Sequence, residues 1–364
     1  MQGATPATIS AQWSKDGQHV LTTASNGNSA TIWSNTGQQQ VLLQGHTADI
    51  TSAAWSPDNK HVVTASYDGI AKIWSMDGSP PVVLQGHTLT INSVAWSPDG
   101  QRIATASNDH TVKIWSLDGQ LQVPIQAHES EVNSVAWSPD SQQLVTASND
   151  RTAKIWSLNG QLEATLQGHS ERVMNALWSP DGQHLVTTSN DNTAIIWSST
   201  GQQPVVLPGH TTDITSVAWS PDGQHLVTTS NDNTAIIWSS TGQQKAVLKG
   251  HTNAIKSAAW SPDGQRLVTT SFDGTAKIWG TDNQLQATLP IDSSPVKGAA
   301  WSPDGKWIMI TTDSGRVEIH HSNIDDVFAI AACSIERGFT LEEIDRFDIT
   351  KPLYFDIQKR QCSP

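Results

Sequence analysis

Residues 132–167 read VNSVAWSPDSQQLVTASNDRTAKIWSLNGQLEATLQ, one complete copy of the pattern that builds this chain. Val135 and Trp137 share one side of a short alternating segment, and Ser138-Pro139-Asp140-Ser141 then supplies turn chemistry, proline presetting φ and aspartate capping the turn. Leu144–Ser148 alternates again, Asn149-Asp150-Arg151 makes a tight turn, and Ala153–Trp156 alternates once more. Leu158-Asn159-Gly160 is a hairpin signal, after which Leu162, Ala164 and Leu166 face one way and Glu163 and Thr165 the other. The stretch predicts four short antiparallel strands.

The unit is copied along the chain. Trp13, Trp55, Trp96, Trp137, Trp178, Trp219, Trp260 and Trp301 each open a variant of Trp-Ser-Pro-Asp-Gly, at a spacing of 41 residues with a single 42. A second tryptophan repeats in step at Trp33, Trp74, Trp115, Trp156, Trp197, Trp238 and Trp279, and the eighth copy has His320 there. With Trp307 these are all sixteen tryptophans. A fixed period of this size means one supersecondary unit whose faces are buried only by its neighbours. Four-stranded units without a helix-period segment fit the blades of a β-propeller better than a sandwich, which does not repeat so strictly. The expected architecture is all-β, a closed propeller of four-stranded antiparallel blades over residues 1–321, eight by the tryptophan count with seven as the alternative. A short helical tail, 322–364, is expected to pack on the ring or to close it.

Composition narrows the function. A net charge of −13 and a pI near 5.3 argue against phosphate-backbone binding, which needs clustered Lys and Arg. No apolar run approaches the ~18 residues that span a bilayer. Met1–Ser10 has neither a basic nor an apolar leader pattern, so a soluble, untargeted, cytoplasmic protein is expected. The only cysteines, Cys333 and Cys362, lie outside the repeats. Two free thiols suit a reducing compartment, with a Cys333–Cys362 bond as the alternative.

Gly45-His46, the Ser56-Pro57-Asp58 turn, Ser66-Tyr67-Asp68-Gly69 and Ile73-Trp74 resemble the WD40 repeat, and the resemblance extends over residues 6–320. One departure is that the Asp expected after the second tryptophan is Ser, or Gly280 in the seventh copy. The resemblance implies a buried hydrogen-bonded tetrad of His, Ser, Asp and Trp in each blade. Six copies match it: His46, Ser66, Asp68, Trp74; His87, Ser107, Asp109, Trp115; His128, Ser148, Asp150, Trp156; His169, Ser189, Asp191, Trp197; His210, Ser230, Asp232, Trp238; and His251, Ser271, Asp273, Trp279. Such groups satisfy one another and remove the cost of burying polar atoms. The end copies depart from it. Ala4 or Thr5 stands near the His place and Gly27 at the Asp place in the first, while Asp292, Thr312, Ser314 and His320 fill the four places in the eighth.

A Ser/His/Asp trio invites a hydrolase reading, but six near-equivalent copies and the lack of a G-x-S-x-G elbow point to scaffold. His19, His61, His184 and His225 open the second strands about 41 residues or more apart and read as exposed polar residues, because a metal site would need separate blades to converge. No Gly-rich phosphate loop or C-x-x-C pair is present. Catalytic, cofactor-binding and metal residues are therefore expected to be none.

After His321 the period changes. Asn323 reads as the cap of a helix to about Arg337, Thr340-Leu341-Glu342-Glu343 as a capping box, and Leu353–Gln358 as a possible outer strand for the last blade. The tail is similar to the ends of long bacterial WD40 proteins, which implies a bacterial source. Met1-Gln2-Gly3 resembles Leu43-Gln44-Gly45, as though the text began mid-unit in a larger protein. The expected function is a non-catalytic protein-interaction platform, a scaffold or sensor module of a bacterial signalling protein, with a small-molecule or carbohydrate binder as the alternative. The ring is expected to act as a monomer. The family's usual partner-facing places hold Tyr67 and Phe272 with Asp49, Glu129, Glu131, Asp213 and Arg172, which suggests a basic protein segment as the partner.

Overall fold

The computed structural model describes residues 8–24, 27–291 and 294–322. Every regular element among them is a β-strand, and the strands form eight antiparallel sheets, seven of four strands and one of three. The blades run Thr8–Gln44, Ile50–Gln85, Ile91–Gln126, Val132–Gln167, Val173–Leu207, Ile214–Leu248, Ile255–Pro290 and, with three strands among the described residues, Val296–His321. Eight blades, not seven, is the arrangement found. The expected tail helices, the Leu353–Gln358 strand, Cys333 and Cys362 lie outside the described residues, as do Met1–Thr5 and Asp292.

Within each sheet the strands follow sequence order. First strands pack against one another at six of the eight seams, and at the other two, between the first and second and the fifth and sixth blades, a second strand meets the next blade's first. Fourth strands do not pack so, and the first strands line the inside of the ring while the fourth form its rim. Burial agrees: the second strand of the fourth blade is almost wholly buried and its fourth strand, Leu162–Gln167, mostly exposed. The strand Thr8–Trp13 packs on Val296–Trp301 and Trp307–Thr312, which closes the circle.

Four of the first-strand tryptophans, Trp96, Trp137, Trp260 and Trp301, bond across the seams, whereas the indole N–H groups of Trp13, Trp55, Trp178 and Trp219 are buried without a partner among the described residues. The indole N–H of Trp137 donates to the Ala95 carbonyl of the preceding blade at 3.1 Å, as Trp96 does to Ala54 and Trp301 to Ala259. The opening residue of the previous blade's second strand then lies against that ring: His61 on Trp96 with ring centres 6.2 Å apart, His19 on Trp55 at 6.0 Å, and Arg266 above Trp301 at 4.7 Å. This corrects the expectation that His19, His61, His184 and His225 are exposed. They are half-buried and face the next blade's tryptophan, because side chains there point out of the pleat toward the neighbouring sheet. Nearer the channel, the Ser93 hydroxyl accepts from the backbone N–H of Val135 in the next blade at 3.4 Å.

Two hairpins show how tightly the rim is fitted. Gly201, at φ +75°, has room only for hydrogen, since a Cβ there would stand 2.6 Å from Leu166 Cδ2 in the preceding blade. Gly78 has a similar φ of +82° but nothing within 4 Å of that position. Gly201→Ala should therefore lose about 2–4 kcal/mol in denaturant unfolding, backbone strain plus overpacking, whereas Gly78→Ala should lose only the backbone part, about 1 kcal/mol.

Candidate functional site

The polar residues that most resemble catalytic groups sit between the sheets. In the fourth blade the Trp156 indole N–H donates to Thr146 Oγ1 at 3.0 Å, His128 Nε2 is 2.7 Å from the same hydroxyl, and His128 Nδ1 is 2.8 Å from Asp150 Oδ2. The other Asp150 oxygen accepts the Thr152 backbone N–H and its hydroxyl, at 2.9 and 2.7 Å. The chain is satisfied in one protonation state: indole to threonine, threonine hydroxyl to Nε2, and Nδ1–H to carboxylate, with a neutral imidazole. The same bonds recur through Thr64 with His46 and Trp74, and through Thr105, Thr187, Thr228 and Thr269 in their blades.

The hydroxyl in this chain belongs to threonine, not to the serine two residues later. Ser66 instead donates to the Ala48 carbonyl at 3.0 Å and accepts the Asp68 backbone N–H at 3.1 Å, tying two loops together. Ser107, Ser148, Ser230 and Ser271 make the same two contacts, and Ser189 accepts from Asp191 N. Cross-strand register explains the choice. Trp74 pairs with Val62, so Thr64 is the diagonal neighbour on its face, while Ser66 is about 13 Å along the strand at ~3.3 Å per residue. The signal in the sequence was a threonine at the same offset in all six copies.

The end blades depart as their sequences do. Trp33 still donates to Thr22 at 2.8 Å, whereas Ile310 holds the threonine place of the eighth blade and His320 bonds Glu318 at 2.8 Å.

Burial pushes the imidazoles of His46, His87, His128 and His251 down, and the paired aspartates only partly restore them. Asp68 and Asp273 are raised by burial, but the backbone N–H and side-chain donors around them carry both below the usual carboxylate value. The second Ser/His/Asp requirement, an open approach to the nucleophile, is not met: Thr146 and Ser148 are fully buried. No group of three or more His, Cys, Asp or Glu able to hold a metal occurs among the described residues.

A cavity of about 470 Å³ opens where the first and eighth blades meet, beside Trp13, Asn35, Trp307 and Ile319. Its carboxylates, Asp16 and Asp304, are turn residues that already accept from Ser14 and Ser302 at 2.6 and 2.5 Å. Among the described residues no nucleophile and base converge there.

The residues at the family's usual partner-facing places lie in equivalent turns and loops of their blades. In the second to seventh blades the residue before the turn aspartate donates its backbone N–H to the loop that precedes the first strand: Tyr67 to Asp49, Asn108 to Thr90, Asn149 to Glu131, Asn190 to Arg172, Asn231 to Asp213 and Phe272 to Ala254, all at 2.9–3.1 Å. Tyr67 is 61% exposed. Glu129 is exposed, and its backbone N–H rests on Asp150. The Ser130 hydroxyl, with Asn149, holds the Glu131 carboxyl down at about 2, so it stays charged. Phe272 differs from Tyr67. It is half-buried and Lys256 Nζ lies 4.7 Å from its ring centre, so a cation of the protein's own already covers it.

This architecture, blades locked by tryptophan and joined through polar loops on one face, defines an eight-bladed propeller of the WD type. Seven segments match the family described as WD domain, G-beta repeat, residues 37–75, 78–116, 119–157, 160–198, 201–239, 242–280 and 283–321, and the chain belongs to that family. Each matching segment begins in one blade's last hairpin and ends in the next blade's third strand, which is how seven segments account for eight blades. Members of the family are commonly protein-interaction platforms. No curated protein matches the chain.

Thr146→Val should cost about 2–3 kcal/mol, because Trp156 and His128 each lose a partner in a buried site, while Ser148→Ala should cost about 1 kcal/mol; chemical denaturation distinguishes the two. A histidine lowered by folding contributes fully above its ordinary value of 6.5 and loses that contribution as pH falls through the folded value, the aspartates following below 3.8. Tm measured by calorimetry should hold above about pH 7 and decline on acidification below that histidine value.

Proposed function

We propose that the ring is a non-catalytic platform that holds an extended, basic protein segment across the face carrying Tyr67, as a scaffold or sensor module of a larger bacterial signalling assembly in the cytoplasm. The observation that carries this reading is the division of labour among the polar side chains. Those with catalytic chemistry are committed to the buried chains through Thr64, Thr146 and their counterparts, while the variable residues stand together on one face. A rigid ring offering a different side chain from each blade fits a partner that crosses several blades and gains specificity from their order.

The anchor is Tyr67 with Asp49, and the acidic Glu129 and Glu131 stand two blades further round. An exposed aromatic supplies contact area at low entropy cost, and carboxylates beside it raise the association rate of a cationic segment. Phe272, shielded by Lys256, contributes shape rather than a cation site. Asp213 and Arg172 bound the surface on the far side.

The test is an array of 15-residue peptides of varied charge, probed with the full chain. Basic peptides carrying an apolar residue should be retained, more weakly as salt rises. Tyr67→Ala should weaken them by about 1–3 kcal/mol, and Glu129→Lys with Glu131→Lys should slow association. Retention of acidic or neutral peptides alone, or full affinity in Tyr67→Ala, would overturn the reading.

A further inference from the structure

The rim of a propeller is a circle of open sheet edges, and each is a template for another strand unless something blunts it. Six of the seven described fourth strands carry a visible device. Val82–Gln85 is short and follows Pro80-Pro81; Leu121–Gln126 contains Pro124; Leu162–Gln167 contains Glu163; Val205–Leu207 lies between Pro204 and Pro208; Gln244–Leu248 has Lys245, with Lys249 just beyond; and Leu285–Pro290 ends in proline. The fourth strand of the first blade, Gln39–Gln44, has none. It is six residues long, closes its sheet on the outer side, and contains neither proline nor charge.

Its surroundings share this character. Residues 17–48 include no Asp, Glu, Lys or Arg, in a chain whose net charge is −13. Gln40, Leu42 and Gln44 project from the strand's exposed face, with Leu42 49% exposed, while Leu43 on the other face is buried against the second blade. The sequence around Leu42, Gln40-Val41-Leu42-Leu43-Gln44, reads nearly the same in both directions.

We infer that Gln39–Gln44 is a self-association edge, at which a second copy of this chain pairs antiparallel about Leu42. In that register Leu42 faces Leu42 of the second copy, Val41 faces Leu43, and Gln40 faces Gln44, so apolar meets apolar and amide meets amide. A two-fold axis through Leu42 is what an isologous contact demands, and the sheet continues across two rings. The second copy is the occupant because the near-palindrome of the strand makes it complementary to itself, and the uncharged stretch 17–48 lets two chains of net charge −13 approach there with little repulsion. One strand pair is a small contact compared with a stable dimer interface, so the association is weak and reversible.

Sedimentation velocity of the full chain from roughly 5 µM to roughly 500 µM tests it, since weak contacts of this size associate in that range. A concentration-dependent dimer that strengthens in about 0.5 M salt, as screening of like charge requires, is the expected result. Leu42→Lys should weaken it at least about tenfold, and Leu42→Glu likewise, because like charges then lie opposite each other. An equimolar mixture of the two variants should associate again, since the introduced charges face one another only in this register. Val206→Lys, on a rim strand flanked by prolines, should leave the dimer unchanged. A monomer at every concentration, a dimer that survives Leu42→Lys, a dimer lost equally in Val206→Lys, or variants that fail to associate when mixed would each overturn the inference.

Discussion

A single hydroxyl in each of six blades sets the terms for the rest of the ring. Thr146 Oγ1 has one proton to give and receives one from Trp156, so the proton it gives goes to His128, which leaves that imidazole neutral and turns its other N–H toward Asp150. The aspartate is thereby fixed at the turn between the second and third strands, where it also gathers backbone N–H groups from two loops. One choice of protonation state propagates from the inner face of a sheet to the loops above it. These loops are held by the same bonds that make the blade fold.

The arrangement explains why triad-like residues are so plentiful and so unreactive. Burial between sheets demands that each polar atom find a partner, and a linear chain of donors and acceptors meets the demand with no atom left over. A nucleophile needs a hydroxyl whose partner can release it toward a substrate, and Thr146 is covered on both sides. Across the seams, tryptophans play the corresponding part for apolar surface, with Trp137 bonded back to Ala95 and lying between blades that neither could cover alone.

Much of this was legible in the text of the chain. The phase-locked tryptophans gave the number of blades, and the alternation within residues 132–167 gave the strand order of each, because period and count depend only on which residues recur. What failed to read was contact across strands and seams. Ser66 and Thr64 lie on the same side of their strand, and only the pairing of Trp74 with Val62 decides between them. His61 looked solvent-facing because a single strand does not say what covers its far face, and Trp96 of the next blade covers it. Phe272 and Tyr67 occupy equivalent places, yet Lys256, on the neighbouring first strand, reaches one ring and the equivalent Thr51 is too short to reach the other. Position along the repeat was readable; the company each position keeps was not.

The closure of the circle separates this protein from an open array of similar repeats. Seven of the seams join blades adjacent in sequence and can form as soon as some 80 residues of chain exist. The eighth joins Thr8–Trp13 to Val296–Trp301 and must bring together points almost the whole domain apart. By the logarithmic dependence of loop entropy on length, that step costs only about 2 kcal/mol more than joining neighbours. It is nevertheless the one contact that waits for every other blade, and Gly17 against Pro303 repeats there the turn-to-turn fit of Gly100 against Pro57. An open row of blades frays from its ends, one unit at a time. Once this seam shuts there are no ends, and any blade that loosens must do so against two neighbours at once, so the ring converts a one-dimensional chain of weak couplings into a body that yields all together.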